Sequence, residues 1–210
     1  MSQRLLLRTT VCCATWDRHK RTTDLQSVSL TQRRQGVEPC LCCVIPPQYF
    51  DQKLKNTDYS VSEASICENL IYPVLKETWK SFLSHFYLWS HPTWYVDEVL
   101  SGIPDYLFTQ PTKYGKAVLG APVLITVEAK KDNFQEGWGQ CAAAMIAAQK
   151  LNANNQITIY GIVSNGETWE FAYLEGDRIT KNIIGYSIFE LHKLYEALHF
   201  VLKQSQMQFK

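Results

Sequence analysis

The stretch Pro122-Val123-Leu124-Ile125-Thr126-Val127-Glu128-Ala129-Lys130 decides the fold. From Val123 to Val127 every side chain is aliphatic or β-branched, the composition of a strand covered on both faces at the centre of a sheet. It ends on Glu128 and Lys130. A carboxylate at the end of so apolar a strand is costly to bury without a partner, which points to a site. Twenty-three positions upstream, Pro104-Asp105 lies in a second apolar run, Ile103 to Phe108. As adjacent strands, the two runs bring Asp105, Glu128 and Lys130 to one point. Two carboxylates at one point repel unless a cation lies between them, and hard divalent ions such as Mg²⁺ take oxygen ligands of this kind. An amine beside such an ion can orient a water or neutralise phosphate charge. The set points to metal-dependent phosphodiester hydrolysis.

The flanking sequence predicts the remaining elements. Trp94–Leu100 reads as a strand, turning at Ser101-Gly102 into Ile103–Thr109, so that Asp105 opens the second arm of a hairpin. Pro111–Gly120 is a polar connection. A helix follows over about Asn133–Leu151, with a face of Gly137, Gly139, Ala142, Ala143, Ala144, Ala147 and Ala148 that lets it approach a sheet closely. Ile157–Val163 is a buried strand. Asn165-Gly166 signals a hairpin turn into Thr168–Leu174, and Arg178–Ile184 is one more short strand. Ser187–Lys203 is a closing amphipathic helix.

On the N-terminal side, Ser62 N-caps a helix that begins at Glu63. Ile66, Leu70, Ile71, Val74 and Leu75 recur at helical spacing. Pro73 predicts a kink or restart, and Lys76–Trp89 is read as continuing helix up to a break at Ser90-His91-Pro92. The order helix, three strands, helix, two strands, helix describes an α/β layer with a mixed sheet.

Glu63 on the first helix, Pro104-Asp105, Glu128-Ala129-Lys130 and Gln140 on the second helix together resemble the PD-(D/E)XK nuclease superfamily. The resemblance covers roughly residues 60–175. Ser62-Glu63-Ala64, Leu70-Ile71-Tyr72-Pro73-Val74-Leu75 and Val163-Ser164-Asn165-Gly166 before an aromatic strand are similar to the nuclease domains of type I restriction subunits. The whole pattern is also similar to small cyanobacterial members of the superfamily.

That resemblance implies a restriction-endonuclease-like mixed β-sheet flanked by helices, with an αβββαβ core and a C-terminal helix. It implies Mg²⁺, or Mn²⁺ in its place, held by Asp105, Glu128 and the backbone carbonyl of Ala129. Lys130 would position the attacking water, Glu63 would support the metal through water, and Gln140 would contact backbone or water nearby. Glu68 on the same helix is the other acid to weigh, since five positions turn it about 140° away. Glu63 shares the face of Ile66 and Leu70 and is preferred. The implied partner is nucleic acid, DNA ahead of RNA, because the metal chemistry is common to both. With a single core, cutting two strands needs a homodimer, or a nicked or branched substrate. The alternative is a catalytically silent nuclease-like fold that binds protein or nucleic acid, because many functions share one fold.

Plainer readings stand beside these. Asp105 after Pro104 is also a turn acid, Lys130 also pairs with Glu128 at a solvent edge, and Gln140 also satisfies a backbone group. Lys131 and Asp132 read as surface charges. His85 and His91, six apart among aromatics, read as interface or core packing rather than a metal pair. Trp79, Trp89, Trp94, Trp138 and Trp169 are able to stack on bases but read chiefly as core and rim. No Gly-rich phosphate loop or G-x-S-x-G occurs, which removes support for nucleotide hydrolysis and serine esterase chemistry.

Composition bounds the rest. The 210 residues, 46% hydrophobic, suit one domain with a true core. The charge is uneven. Residues 1–50 carry seven Lys/Arg against Asp17, Asp24 and Glu38, a net +4, which leaves 14 basic and 17 acidic residues, a net −3, for the remainder. The core therefore lacks the basic footprint usual for duplex binding. Residues 1–48, closed by Pro46-Pro47, show no period and read as a poorly ordered arm or as translated upstream sequence, ahead of a nuclease-like domain over 49–210. Cys12, Cys13, Cys40, Cys42 and Cys43 in that arm are thiolate metal ligands or free thiols. Cys67 and Cys141 read as small core residues. The apolar stretch Leu5-Leu6-Leu7 is too short for a secretory signal and no membrane-length run occurs, so a cytoplasmic location is the expectation.

Overall fold

The computed structural model describes residues 47–209. The arm cysteines Cys12, Cys13, Cys40, Cys42 and Cys43 lie outside the described residues, as does all of the arm but its last two positions. The described residues open with α1 (Pro47–Asn56), followed by α2 (Glu63–Ile66), a π turn (Cys67–Ile71) and α3 (Tyr72–Trp79), the last three in direct succession. Strands β1 (Tyr87–Ser90), β2 (Trp94–Tyr95), β3 (Ser101–Gly102), β4 (Tyr106–Thr109) and β5 (Val123–Ala129) follow. Then come α4 (Phe134–Asn152), β6 (Ile159–Ser164), β7 (Thr168–Glu175), β8 (Arg178–Lys181), β9 (Tyr186–Ser187) and α5 (Leu191–Met207). The main sheet runs β1-β4-β5-β6-β7-β8, with β9 on β7. β5 and β6 are parallel and the other neighbours antiparallel, so the sheet is mixed. The sequence α3, β1, β4, β5, α4, β6 is the expected αβββαβ core, and α5 is the expected C-terminal helix.

Local chemistry accounts for these boundaries. Ser62 Oγ accepts the Ser65 N–H at 3.1 Å and caps α2. Pro73 has no N–H to give, and its ring would collide with the carbonyl four residues back. The helix answers by widening one turn earlier, where the Tyr72 N–H donates to the Cys67 carbonyl. Asn133 caps α4 by accepting the Glu136 N–H at 3.1 Å. Gly166, at φ 87°, supplies the left-handed position of the β6–β7 turn.

Two expectations are corrected. The helix read over 76–89 stops near Phe82, and Tyr87–Ser90 is a strand. β1 pairs with β4 from Tyr87↔Thr109 to Ser90↔Tyr106, and Trp89 Nε1 donates to Thr109 Oγ1 at 2.9 Å. Sheet pairing and aromatic side chains outweigh the helical spacing there. The hairpin read over Trp94–Thr109 is also different. Trp94–Tyr95 pairs only with Ser101–Gly102, because Asp97 Oδ1 takes the Val99 and Leu100 N–H groups at 2.9 and 2.7 Å and folds the intervening residues into a loop. β4 begins after this excursion, and its antiparallel partners are β1 and β5.

The sheet is covered on both faces. Leu70, Ile71, Val74 and Leu75 pack with Leu194, Tyr195, Leu198 and Val201 of α5 over Ile125, Val127, Ile162 and Phe171. Cys141, Met145 and Ala148 of α4 pack over Leu107, Val123, Ile159 and Val163 on the other face. Gly161 on β6 leaves room for Met145, whose Sδ would lie 2.4 Å from a Cβ there. The small residues of α4 serve two faces: Gly137, Ala147 and Ala148 are buried, while Gly139 and Ala143 are exposed.

Candidate active site

The antiparallel register that sets Tyr106 opposite Val127, carried one residue on, sets Asp105 opposite Glu128. Asp105 Oδ2 accepts the Ala129 N–H at 2.7 Å. Asp105 is thus fixed by the backbone of the strand that carries Glu128. Burial, with the Asp105 charge next, pushes the Glu128 carboxyl up to about 8, and the Asp105 backbone N–H lowers it slightly. Burial also raises Asp105, against the lowering effect of the Ala129 N–H.

Lys130 follows at the end of β5. Its side chain is 12% exposed. The aliphatic stem passes over Gly137 of α4, where a Cβ would lie 2.7 Å from Lys130 Cγ and 2.8 Å from Val163 Cγ1. The absent side chain at Gly137 therefore makes the channel through which Lys130 reaches the site. The ammonium lies 3.4 Å from Glu63 Oε1 and 3.6 Å from Glu136 Oε1. Burial alone would lower its pKa, but Glu63, Glu136 and Glu128 outweigh that and raise it. Lys130 is a firm cation.

Glu63 is thereby brought to the site from the first turn of α2. Glu68 is exposed. Gln140 is exposed on α4 and, with Glu128, Pro104 and Ala144, lines a cleft of about 250 Å³ beneath the β2–β3 excursion. The expected residues therefore fall in two adjoining groups: Asp105, Glu128, Lys130 and Glu63 around the ends of β4 and β5, and Gln140 in the cleft that Glu128 also lines.

Whether these groups suit a divalent cation is decided by their charge. Four carboxylates, Asp105, Glu128, Glu63 and Glu136, face one ammonium. Two of them are driven toward the neutral form: Asp105 by burial and the Glu63 charge, Glu128 by burial and the Asp105 charge. An oxygen-seeking cation at Asp105 and Glu128 would relieve that cost, so the residues fit Mg²⁺.

One site residue escaped the sequence reading. His91 Nε2 lies 3.3 Å from Asp105 Oδ1, and its backbone N–H donates to the Asp105 carbonyl at 2.7 Å. Its backbone is left-handed, φ 49°, a strained conformation for histidine. The Ser90-His91-Pro92 break was legible, but its neighbour was not, because β1 was read as helix. Buried Cys67, in the π turn, completes a group in which ligand atoms of Cys67, His91 and Asp105 all lie within 4.8 Å of one another. His85 sits apart from this group, its Nδ1 2.9 Å from Ser84 Oγ. The tryptophans serve the fold: Trp79, Trp138 and Trp169 donate to Phe86 O, Glu170 Oε2 and Gly166 O.

No family model and no curated protein matches the chain. A solved structure that it resembles is that of the type IIG restriction endonuclease BpuSI, 17% identical, with a TM-score of 0.47 over 72% of this chain and 18% of that one. The chain thus corresponds to under a fifth of that protein's length. Among the described residues, no helix is long and apolar enough to cross a membrane.

Proposed function

We propose that this chain is a Mg²⁺-dependent nuclease that hydrolyses phosphodiester bonds, with DNA as the first substrate to test. The observation that carries the reading is the juxtaposition of Asp105 and Glu128 across β4 and β5, with Lys130 beside it. Asp105, Glu128 and the Ala129 carbonyl would hold the ion, with Mn²⁺ able to replace Mg²⁺. When bound, Mg²⁺ polarises phosphate oxygen and lowers the pKa of water.

The chain's own residues do the rest. Asp105 spends Oδ2 on the Ala129 N–H, which fixes the plane of its carboxylate and leaves Oδ1 directed elsewhere. Glu128 lies opposite Asp105 in the strand register, so the two acids would meet an arriving cation together. Lys130, kept protonated by Glu63 and Glu136, is a hydrogen-bond donor and positive charge for the phosphate or for the attacking water. Glu63 holds that ammonium in place. Gln140, which lines the same cleft as Glu128, would make polar contact with water or with the substrate backbone.

A second reading rests on the net −3 of residues 51–210: a nuclease-like module that binds a partner without cutting. One assay separates the two. Wild type, Asp105→Ala and Lys130→Ala are incubated with supercoiled, linear and single-stranded DNA and with RNA, with and without Mg²⁺. The nuclease reading expects Mg²⁺-dependent cleavage of at least one substrate, lost in both variants. Intact substrates throughout, or cleavage that survives Asp105→Ala, would overturn it.

A further inference from the structure

Mg²⁺ is served by oxygen ligands, yet one side of this site is built from softer donors. We propose that Cys67, His91 and Asp105 form a second cation site, for a thiophilic divalent ion of which zinc is the natural example.

The three donors come from three separate elements. Cys67 opens the π turn between α2 and α3, a backbone irregularity that recurs at functional sites. His91 follows β1, and Asp105 precedes β4. Their ligand atoms lie within 4.8 Å of one another, so that modest side-chain movement would bring all three to bonding distance of one small ion. His91 Nε2 and Asp105 Oδ1 are 3.3 Å apart. Two ligands at zinc's usual bond lengths on a tetrahedral ion are separated by about 3.3 Å. The same spacing is long for a charge-assisted hydrogen bond.

The surroundings orient each donor. Ser90 Oγ lies 2.9 Å from His91 Nδ1. With that nitrogen donating to Ser90, Nε2 keeps its lone pair for a metal, the usual outer support of a ligating histidine. The left-handed backbone at His91, anchored by its N–H on the Asp105 carbonyl at 2.7 Å, holds the ring in place. Asp105 Oδ2 is occupied by the Ala129 N–H, which leaves Oδ1 for the ion. Burial, with the Asp105 charge next, pushes the Cys67 thiol up to about 12, so the thiolate that ligates forms only with the ion. The thiol proton leaves to solvent as the ion binds.

Thiolate, imidazole and carboxylate in one cluster select zinc and its neighbours over Mg²⁺. Three protein ligands leave a fourth position open. The assignment does not depend on the nuclease reading. Where that reading holds, the shared Asp105 makes zinc and Mg²⁺ competitors.

Cobalt(II) is the probe, because thiolate bound to it gives a charge-transfer absorption that oxygen ligands do not. The full chain is used with Cys12, Cys13, Cys40, Cys42 and Cys43 changed to serine, which leaves Cys67 and Cys141. Cobalt should give the thiolate band in this background and in its Cys141→Ser form. Cys67→Ser should abolish the band. His91→Asn, which keeps a residue that tolerates left-handed backbone, should weaken cobalt and zinc binding by at least about tenfold. Circular dichroism checks that each variant is folded. His91 is exposed, so its variant decides the matter if Cys67→Ser does not fold. No thiolate band at saturating cobalt, a band that survives Cys67→Ser, or unchanged affinity in His91→Asn would overturn the site.

Discussion

Asp105 and Glu128 face each other across the β4–β5 ladder: Asp105 Oδ2 accepts the N–H of Ala129, next in chain to Glu128, at 2.7 Å, and the register sets the two acids opposite one another. The arrangement sets two carboxyls side by side, and ionising both is costly; under the proposed reading a cation would offset that cost.

Removing either acid should therefore separate stability from function. Asp105→Asn and Glu128→Gln each relieve the like-charge pair and remove a proposed ligand. We expect either change to lower Mg²⁺-dependent cleavage by about 10²-fold or more without lowering Tm. Initial rates and thermal melts on the same preparations check this. A variant that keeps full activity contradicts the assignment.

The Glu128 pKa makes a pH prediction for the metal-free protein. The carboxyl moves from its ordinary 4.5 to about 8 on folding, so the folded chain binds this proton more tightly than the unfolded one. That contribution is complete below the unfolded value and is lost as pH rises through the folded value. Asp105, also raised, acts in the same sense. Tm measured in EDTA should fall between about pH 5 and pH 8. Glu128→Gln should flatten the fall, and saturating Mg²⁺ should reverse it by mass action. A Tm that climbs across this window would show that the pair is not strained.

Glu63 and Glu68 make a clean contrast. Both are exposed, but Glu63 Oε1 is 3.4 Å from the Lys130 ammonium, whereas no ion pair of Glu68 is found among the described residues. Glu63→Gln should lower cleavage by about 10- to 100-fold, the range for residues that orient a site's own ligands. Glu68→Gln should leave it within twofold. Equal effects of the two changes would remove Glu63 from the site.

Gly137 tests the route taken by Lys130. Gly137→Ala gains about 1 kcal/mol of helix propensity. The new methyl would meet Lys130 Cγ at 2.7 Å and Val163 Cγ1 at 2.8 Å, and overpacking of this kind costs about 1–3 kcal/mol. We expect a Tm lowered by a few degrees and weakened cleavage, since the lysine stem must shift. Gly139→Ala, with nothing within 4 Å of its added carbon, should raise Tm and spare activity.

The central strand was legible because its signal is local: an unbroken apolar run ending in Glu128 and Lys130. Helix α4, capped by Asn133, and the Asn165-Gly166 turn were legible for the same reason. β1 was not. Its four residues gain strand character from pairing with Tyr106–Thr109, some twenty residues on, and no local period records that. The error carried through to the site. With 76–89 read as helix, nothing placed His91 beside Asp105, and Cys67 read as packing. The loop closed by Asp97 was hidden likewise, because an aspartate that caps its own turn looks like any surface acid in a strand-like run. The acids and the lysine were found by type and spacing, whereas the channel at Gly137 required the packing of α4 on β5.

The most direct test of the Asp105–Glu128 pair as a cation site is a titration with Mn²⁺ in place of Mg²⁺, reading free ion by electron paramagnetic resonance, on wild type and Glu128→Gln. The protein should bind Mn²⁺ in competition with Mg²⁺, and Glu128→Gln should weaken that binding at least about tenfold. Wild type that binds no Mn²⁺, or a variant that binds it equally well, would contradict the proposed centre.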